Sequence, residues 1–284
     1  MKIKHLLILF IGLMYLGAAG QNDIITAKQF MDMVKANDKL VIVDASAAKT
    51  YSTTHVKNAV NIPHKTLYQE GSIEGLIKSP DQLAKIFGSK GVGDGNTIVV
   101  YDEGSQKYST RVYWVLKYLG AKDVKILHKD MDQWKKVRVP LTRMPASVKP
   151  ATFTANVDNS TSTDMAYVKA HIGDPNVKLI DARTPEEFNG TSTDPVSKGH
   201  IQGALNLNHK DVLNSNNSFK SKADLEAIAS KLGVSANNEI ILYCKTSIRG
   251  AVLYVAFRDI LGYGNVKIYD GAYAEWETKY DLVK

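Results

Sequence analysis

The stretch Glu239-Ile240-Ile241-Leu242-Tyr243-Cys244-Lys245-Thr246-Ser247-Ile248-Arg249-Gly250 runs from a continuous apolar segment into a short cationic loop, then into residues with apolar side chains at helical spacing. Residues 239–243 read as a buried strand and 251–261 as a helix, so Cys244 opens the turn between them. An apolar run without alternation is the mark of a strand covered on both faces, as in a parallel sheet flanked by helices. Backbone N–H groups at a helix start have no partner inside the helix, and the macrodipole adds partial positive charge there. Both favour an anion, Lys245 and Arg249 add two formal cations, and such surroundings favour a thiolate over a thiol. Cys244 is the only cysteine among 284 residues.

Working outward, the chain follows one script twice. The first half has a helical pattern over 26–36, a buried strand over 40–44, and His55-Val56-Lys57-Asn58-Ala59-Val60-Asn61-Ile62. The second has a helical pattern over 163–171, a strand over 177–181, and His200-Ile201-Gln202-Gly203-Ala204-Leu205-Asn206-Leu207. Strands over 97–102 and 239–244 then lead into helices ending at Leu119-Gly120 and Leu261-Gly262, where glycine is a C-cap signal. Short strands over 124–127 and 266–269 follow, each with a tryptophan behind it, Trp134 and Trp276. Strands alternating with helices predict two small α/β domains, each a parallel sheet with helices on both faces. The stretch 140–150 holds Pro140, Pro145 and Pro150 without periodicity and reads as a linker. The expected division is 21–140, a linker over 141–152, and 153–284.

The apolar fraction of 44% suffices for two packed cores. Met1-Lys2-Ile3-Lys4, the apolar stretch 6–16 and Ala18-Ala19-Gly20 have the three parts of a secretory signal peptide. The expectation is cleavage after Gly20 and export, to the periplasm in a cell with two membranes. A membrane anchor is the competing reading, but the apolar run is shorter than the ~20 residues a spanning helix needs. Net charge is +7; it falls to about +5 once Lys2 and Lys4 leave, and no block of basic residues makes a nucleic-acid footprint. A lone cysteine in an exported chain is a buried inert residue, an intermolecular bridge or a working thiol. The cationic loop favours the last.

Four ordered segments carry a resemblance: Leu179-Ile180-Asp181-Ala182-Arg183-Thr184-Pro185-Glu186-Glu187-Phe188, Gly199-His200-Ile201-Gln202-Gly203-Ala204, the Cys244 loop, and Tyr269-Asp270-Gly271-Ala272-Tyr273-Ala274-Glu275-Trp276. Over essentially its whole mature length the chain resembles a tandem-domain rhodanese, a sulfurtransferase. The resemblance implies that Cys244 takes up a sulfane sulfur as a persulfide while the loop amides cradle an anionic donor. It implies a thiophilic acceptor such as cyanide or a thiol, and no metal or organic cofactor. The first half resembles the family's non-catalytic domain, with Asp102 where the second has Cys244. Related phosphatases use Cys-x5-Arg; the shorter Cys-x4-Arg here suits a persulfide and a small sulfur anion. Relatives using thiosulfate usually have two adjacent cations after the cysteine, and those using 3-mercaptopyruvate have Gly-Ser-Gly. Lys245-Thr246-Ser247 is neither, and thiosulfate is the first expectation. A non-enzymatic sulfur carrier or partner-binding protein is the alternative.

The expected substrate-binding set is Lys245, Thr246, Ser247, Ile248 and Arg249 with Arg183 from the end of the strand 177–181. Arg249 has a competing reading, bonding loop carbonyls, and Arg183 another, pairing with Asp181 or Glu186. Arg111 is a candidate cation for the interdomain groove, with a salt bridge as its alternative. His55 and His200 occur in both halves, which favours structural hydrogen bonds over acid–base work. Trp134 and Trp276 read as core.

Overall fold

The computed structural model describes residues 23–193 and 197–284; the expected signal segment 1–20 lies outside the described residues. The strands are β1 Ile24–Ile25, β2 Leu40–Asp44, β3 His55–Val56, β4 Val60–Asn61, β5 Thr97–Tyr101, β6 Val124–Leu127, β7 Leu141–Thr142, β8 Ser162–Thr163, β9 Val177–Asp181, β10 Leu205–Asn206, β11 Glu239–Tyr243 and β12 Val266–Tyr269. One five-stranded sheet has the order β1-β6-β5-β2-β4, and the other, read from its far edge, β8-β12-β11-β9-β10. The two orders are the same pattern, and every pairing within these sheets is parallel. The central pairs run in register, Leu40 opposite Thr97 through Asp44 opposite Tyr101, and Val177 opposite Glu239 through Asp181 opposite Tyr243.

Local signals explain where helices begin. Thr26, Ser79 and Thr184 cap helices starting at Ala27, Pro80 and Pro185, each through a reciprocal box with a Gln or Glu three residues on. The helix Ile248–Tyr254 continues through a π-helical segment, Val255–Ile260, and the chain turns at Gly262 with φ of 77°. The duplicated tryptophans are buried as expected: Trp134 sits with Phe30, Ile42, Val99 and Tyr101, and Trp276 with Leu179, Ile241, Tyr243 and Tyr269.

The core departs from two separate interiors. Val43, Ile98 and Val100 of one sheet and Ile180, Ile240 and Leu242 of the other belong to a single apolar cluster. The helices that follow the two loops, Lys107–Tyr118 and Ile248–Tyr254, pack on each other within it. Strand residues alternate faces, so each sheet gives one face to this shared core and the other to a core of its own. The segment expected as a linker behaves as a strap on the first half. Leu141–Thr142 pairs antiparallel with His55–Val56, Ala151 N–H donates to Gly88 O at 2.9 Å, and the Phe153 ring lies 5.8 Å from that of Phe87. Proline-rich sequence hides this because a two-residue strand leaves no periodic trace.

At the seam, Asp259 Oδ2 is shielded from solvent and has no hydrogen-bond partner. Burial pushes its pKa up to about 7, the Asp23 charge adds to this, and the Tyr113 hydroxyl, Lys117 and Arg258 oppose it. A carboxyl that holds its proton more tightly folded than unfolded makes stability fall as pH rises from about 4 to about 7, by up to about 1.4 kcal/mol per unit. Asp259→Asn is expected to raise stability against urea at pH 8 and to change it little at pH 4. An equal effect at both pH values contradicts this account.

Candidate active site

Cys244 follows the last residue of β11 and is 1% exposed. Its carbonyl accepts from Tyr273 N–H at 3.0 Å, and the Lys245 carbonyl from Ala274 N–H at 3.1 Å. Those bonds pin the loop to the segment after β12. Ser247 caps the following helix in the left-handed region, φ 56°, and its hydroxyl donates to Tyr269 O at 2.6 Å. Among the described residues, the N–H groups of Lys245, Thr246, Ser247, Ile248 and Arg249 have no protein acceptor. A run of open amides at a helix start is an anion cradle.

The first half shows what such a loop does with an anion in place. The Asp102 carboxylate, at the end of β5, accepts from the N–H groups of Gly104, Gln106, Tyr108 and Ser109 at 2.8, 3.3, 3.0 and 3.2 Å. Gln106, like Ser247, caps its helix with a left-handed backbone, φ 64°. The carboxylate therefore fills its own cradle. In the second half the cradle is lined by the same kind of backbone but carries a thiol at its base.

Arg249 lies beside that sulfur. Its guanidinium makes a two-pronged ion pair with Glu187, at 2.6 and 2.8 Å. Burial works against its charge, but hydrogen bonding to Glu187 and the Cys244 sulfur outweighs that and raises its pKa. Burial pushes Glu187 upward, yet Arg249 and the Thr184 N–H bring it down to about 2. The Asp-Ala-Arg-Thr-Pro-Glu-Glu sequence reveals Glu187 as a helix-capping residue; its second task, holding Arg249, needs the fold. Lys245 is half-buried and forms no ion pair among the described residues. Thr246 packs against the first half so closely that a Cβ on Gly75 would come within 2.6 Å of the Thr246 Cβ.

Two expected cations are placed otherwise. Arg183 is 1% exposed and paired inside its own domain: its Nε and Nη2 bond the Asp181 carboxylate at 3.0 and 2.7 Å, Nη2 also reaches Gly199 O at 2.7 Å, and the guanidinium stacks 4.2 Å from the Tyr273 ring. It shapes the turn after β9 and leaves the substrate set, because the carboxylate two residues earlier claims it. Arg111 does reach across the domains, but as a brace. It is 0% exposed, pairs with Asp270 at 2.5 Å and donates to Gly75 O at 2.9 Å. His55 and His200 bond the carbonyls of Tyr51 and Phe188 at 2.7 and 3.0 Å, in keeping with structural roles.

Sequence reading passed over a pair of histidines on duplicated turns. His64, on a 3₁₀ turn, places Nδ1 2.8 Å from the Tyr68 hydroxyl and stacks on Tyr108 at 4.1 Å. Its counterpart His209 feels the charges of Arg249 and Lys107, and burial first, then those cations, bring its pKa down to about 4. No periodic pattern marks these residues; only the duplicated 3₁₀ turns at His64–Leu67 and His209–Val212 do. Among the described residues no cluster of three or more His, Cys, Asp or Glu could hold a metal, and no helix is long and apolar enough to cross a membrane.

The duplication with one open and one self-filled loop defines a class, tandem α/β proteins in which one domain keeps a nucleophile and the other carries a carboxylate instead. The rhodanese-like domain model matches residues 26–137 and again 164–279, and the chain belongs to that family. It is 27% identical over 266 residues to a putative thiosulfate sulfurtransferase of Mycolicibacterium smegmatis, covering 90% of this chain and 95% of that protein. It is 28% identical over 241 residues to the thiosulfate sulfurtransferase of Pseudomonas aeruginosa, covering 84% and 88%. It is also 28% identical over 238 residues to the sulfur carrier protein TtuD of Thermus thermophilus, covering 80% and 83%. The crystal structure of SseA from Escherichia coli, described as a 3-mercaptopyruvate sulfotransferase, superposes with a TM-score of 0.80 at 25% identity, covering 88% of this chain and 98% of that one.

The Glu187–Arg249 pair has a measurable signature. A carboxyl whose folded pKa is depressed stabilises the fold above its unfolded value and loses that contribution as pH falls, here between about 4.5 and about 2. Arg249→Met is expected to return the Glu187 titration, followed by NMR, to the ordinary carboxylate range, and to cost more stability at pH 6 than at pH 3. A Glu187 midpoint that stays near 2 in the variant contradicts the pairing.

Proposed function

We propose that the protein, a sulfur-transferring transferase, takes a sulfane sulfur from a small anionic donor onto Cys244 and passes it to a thiophilic acceptor such as cyanide or a thiol. The observation that carries this is the open ring of amides over a buried sulfur beside Arg249, against the ring that Asp102 closes in the other half. With thiosulfate, the Cys244 thiolate attacks the outer sulfur. The donor's S–S bond breaks and its electron pair leaves with sulfite, while a new S–S bond forms at Cys244. The acceptor then attacks the outer sulfur and Cys244 departs as thiolate, a double displacement. Thr246 borders the donor, Lys245 and the amides of 245–249 hold its oxyanion, with Ser247 giving its amide alone because its hydroxyl is spent on Tyr269 O, and Arg249 steadies charge on sulfur. Thiosulfate is the first donor, in line with the names of the Mycolicibacterium and Pseudomonas relatives, and 3-mercaptopyruvate the second. Segment 1–20 is assigned as an export signal that sends the mature chain, beginning at Gln21, to the periplasm.

The likeness to a protein named a sulfur carrier favours a second reading, in which the persulfide serves a protein partner. Intact-mass spectrometry separates them. Incubation with thiosulfate or 3-mercaptopyruvate is expected to add ~32 Da at Cys244, discharged by cyanide, with repeated turnover and none in Cys244→Ser. Loading without turnover on free acceptors supports the carrier. No loading from either donor overturns sulfur transfer from small donors.

A further inference from the structure

The hydrogen bonds that fix the Cys244 loop run to one short segment. Cys244 O and Lys245 O accept from the N–H groups of Tyr273 and Ala274, and the Ser247 hydroxyl donates to Tyr269 O. Asp270 lies between those anchors, and its carboxylate is held by the other half. Oδ1 accepts from Arg111 Nη2 at 2.5 Å and Oδ2 from the Ile77 N–H at 2.9 Å. The same Nη2 donates to Gly75 O at 2.9 Å, and the Gly75 backbone lies against Thr246 too closely for a Cβ to fit. One guanidinium nitrogen therefore reaches the loop by two routes. It acts through Asp270 on the anchors of Cys244, Lys245 and Ser247, and through Gly75 on Thr246.

The brace runs in one direction. Arg111 is the fifth residue of the helix Lys107–Tyr118, and the fifth residue of its counterpart Ile248–Tyr254 is Val252. His128 follows β6 as Asp270 follows β12, yet its Nδ1 bonds the Gln106 side chain of its own half at 2.8 Å. The Asp102 loop is thus secured within its domain and the Cys244 loop across the seam. Joining the halves is already the work of the shared apolar core, and a buried ion pair adds little to that because desolvation offsets much of its attraction. Arg111 is 0% exposed, and its Nε and Nη1 make no hydrogen bond among the described residues. The geometry it imposes on the nucleophile loop accounts for a charge buried on those terms.

We propose that Arg111 is a positioning residue for sulfur transfer, acting across the seam through Asp270 and Gly75 to hold the loop amides at Cys244 in the shape that receives an anion. The proposal rests on the Cys244 persulfide reading and adds to it a residue of the half that carries no nucleophile. Without the brace the loop keeps its bonds to 269–274 but shifts along with that segment. Misplacing a binding group by about 1 Å costs about 100-fold in rate.

Iodoacetate and iodoacetamide are of similar size, and only the first is an anion. Both react with the thiolate, so the ratio of their alkylation rates at Cys244 reads the anion ring independently of how much thiolate is present. Wild-type protein is expected to favour iodoacetate relative to a free thiol, and absence of that preference overturns the proposal. The test variant carries Arg111→Met together with Asp270→Asn, because removing a buried pair whole is often neutral or stabilising where breaking it is not. It is expected to unfold in urea no earlier than wild type. Its alkylation ratio is expected to fall by about ten-fold, and its kcat/KM for thiosulfate with cyanide as acceptor by about 100-fold. A purely structural role leaves both at the wild-type value in the folded variant, and that result overturns the proposal. If the double variant does not fold, Arg111→Lys decides. It keeps the charge beside Asp270, but on a shorter stem that draws Asp270 and Gly75 from their places, and an unchanged ratio there overturns the proposal. Wild-type protein that loads no sulfur from small donors removes the Cys244 reading, while the alkylation ratio still decides whether Arg111 shapes the ring.

Discussion

The carboxylate of Asp270 is the point on which the site turns. It closes β12, and one oxygen takes the Arg111 guanidinium while the other accepts from the Ile77 N–H at 2.9 Å. Both partners belong to the first half, so one buried carboxylate ties the halves together. A buried ion pair need not add net stability, since desolvation offsets much of the attraction, but breaking one costs about 3–5 kcal/mol because a lone charge is left behind. What the pair fixes here is position. The three residues after it enter a tight turn, with Ala272 at φ 56°, and the N–H groups of Tyr273 and Ala274 then hold the carbonyls of Cys244 and Lys245. The sulfur loop thus takes its place from a strand end that the other domain anchors.

That dependence explains why a half without a nucleophile belongs to the site. Its own loop is locked by the Asp102 carboxylate, which supplies internally the negative charge the ring of amides requires. A locked loop makes a rigid wall. The helix leading from it presents Arg111 to Asp270, and Lys107 and Tyr108 to the cleft where His64 lies. The same fold therefore yields two outcomes from one substitution of chemistry: a carboxylate at the strand end satisfies the amides permanently, and a thiol leaves them open for an incoming anion. Backbone geometry is shared; the anion's source differs.

Much of this was legible in the sequence. Buried parallel strands are continuous apolar runs, and residues 40–44, 124–127, 177–181 and 266–269 read correctly end to end because runs this short, rich in Val and Ile, favour strand over buried helix. Cys244 stood out because its loop broke one of them with cations. Arg183 misled because a guanidinium at a strand end looks the same whether it faces a ligand or its own neighbour; the Asp181 carboxylate decided it. Glu187 gave no sign in the sequence of its pairing with Arg249, 62 residues further on. Gly75 lies more than 170 residues before Thr246, and only docking of the two halves brings the two together. The shared core was equally hidden, since alternation tells which faces of a strand are buried but not whose side chains cover them.

Access to the sulfur follows from the same docking. Cys244 is almost fully enclosed, and the Gly75 backbone sits against Thr246, so the first half walls the loop that carries the sulfur. Lys107 reaches both His64 and His209 with its charge, and Arg249 reaches His209 from the other side. Burial first, and these cations after it, keep both imidazoles neutral. The Arg249 charge is balanced by Glu187, so the pull on an incoming anion is left to the open loop amides and to Lys245, which has no ion pair among the described residues.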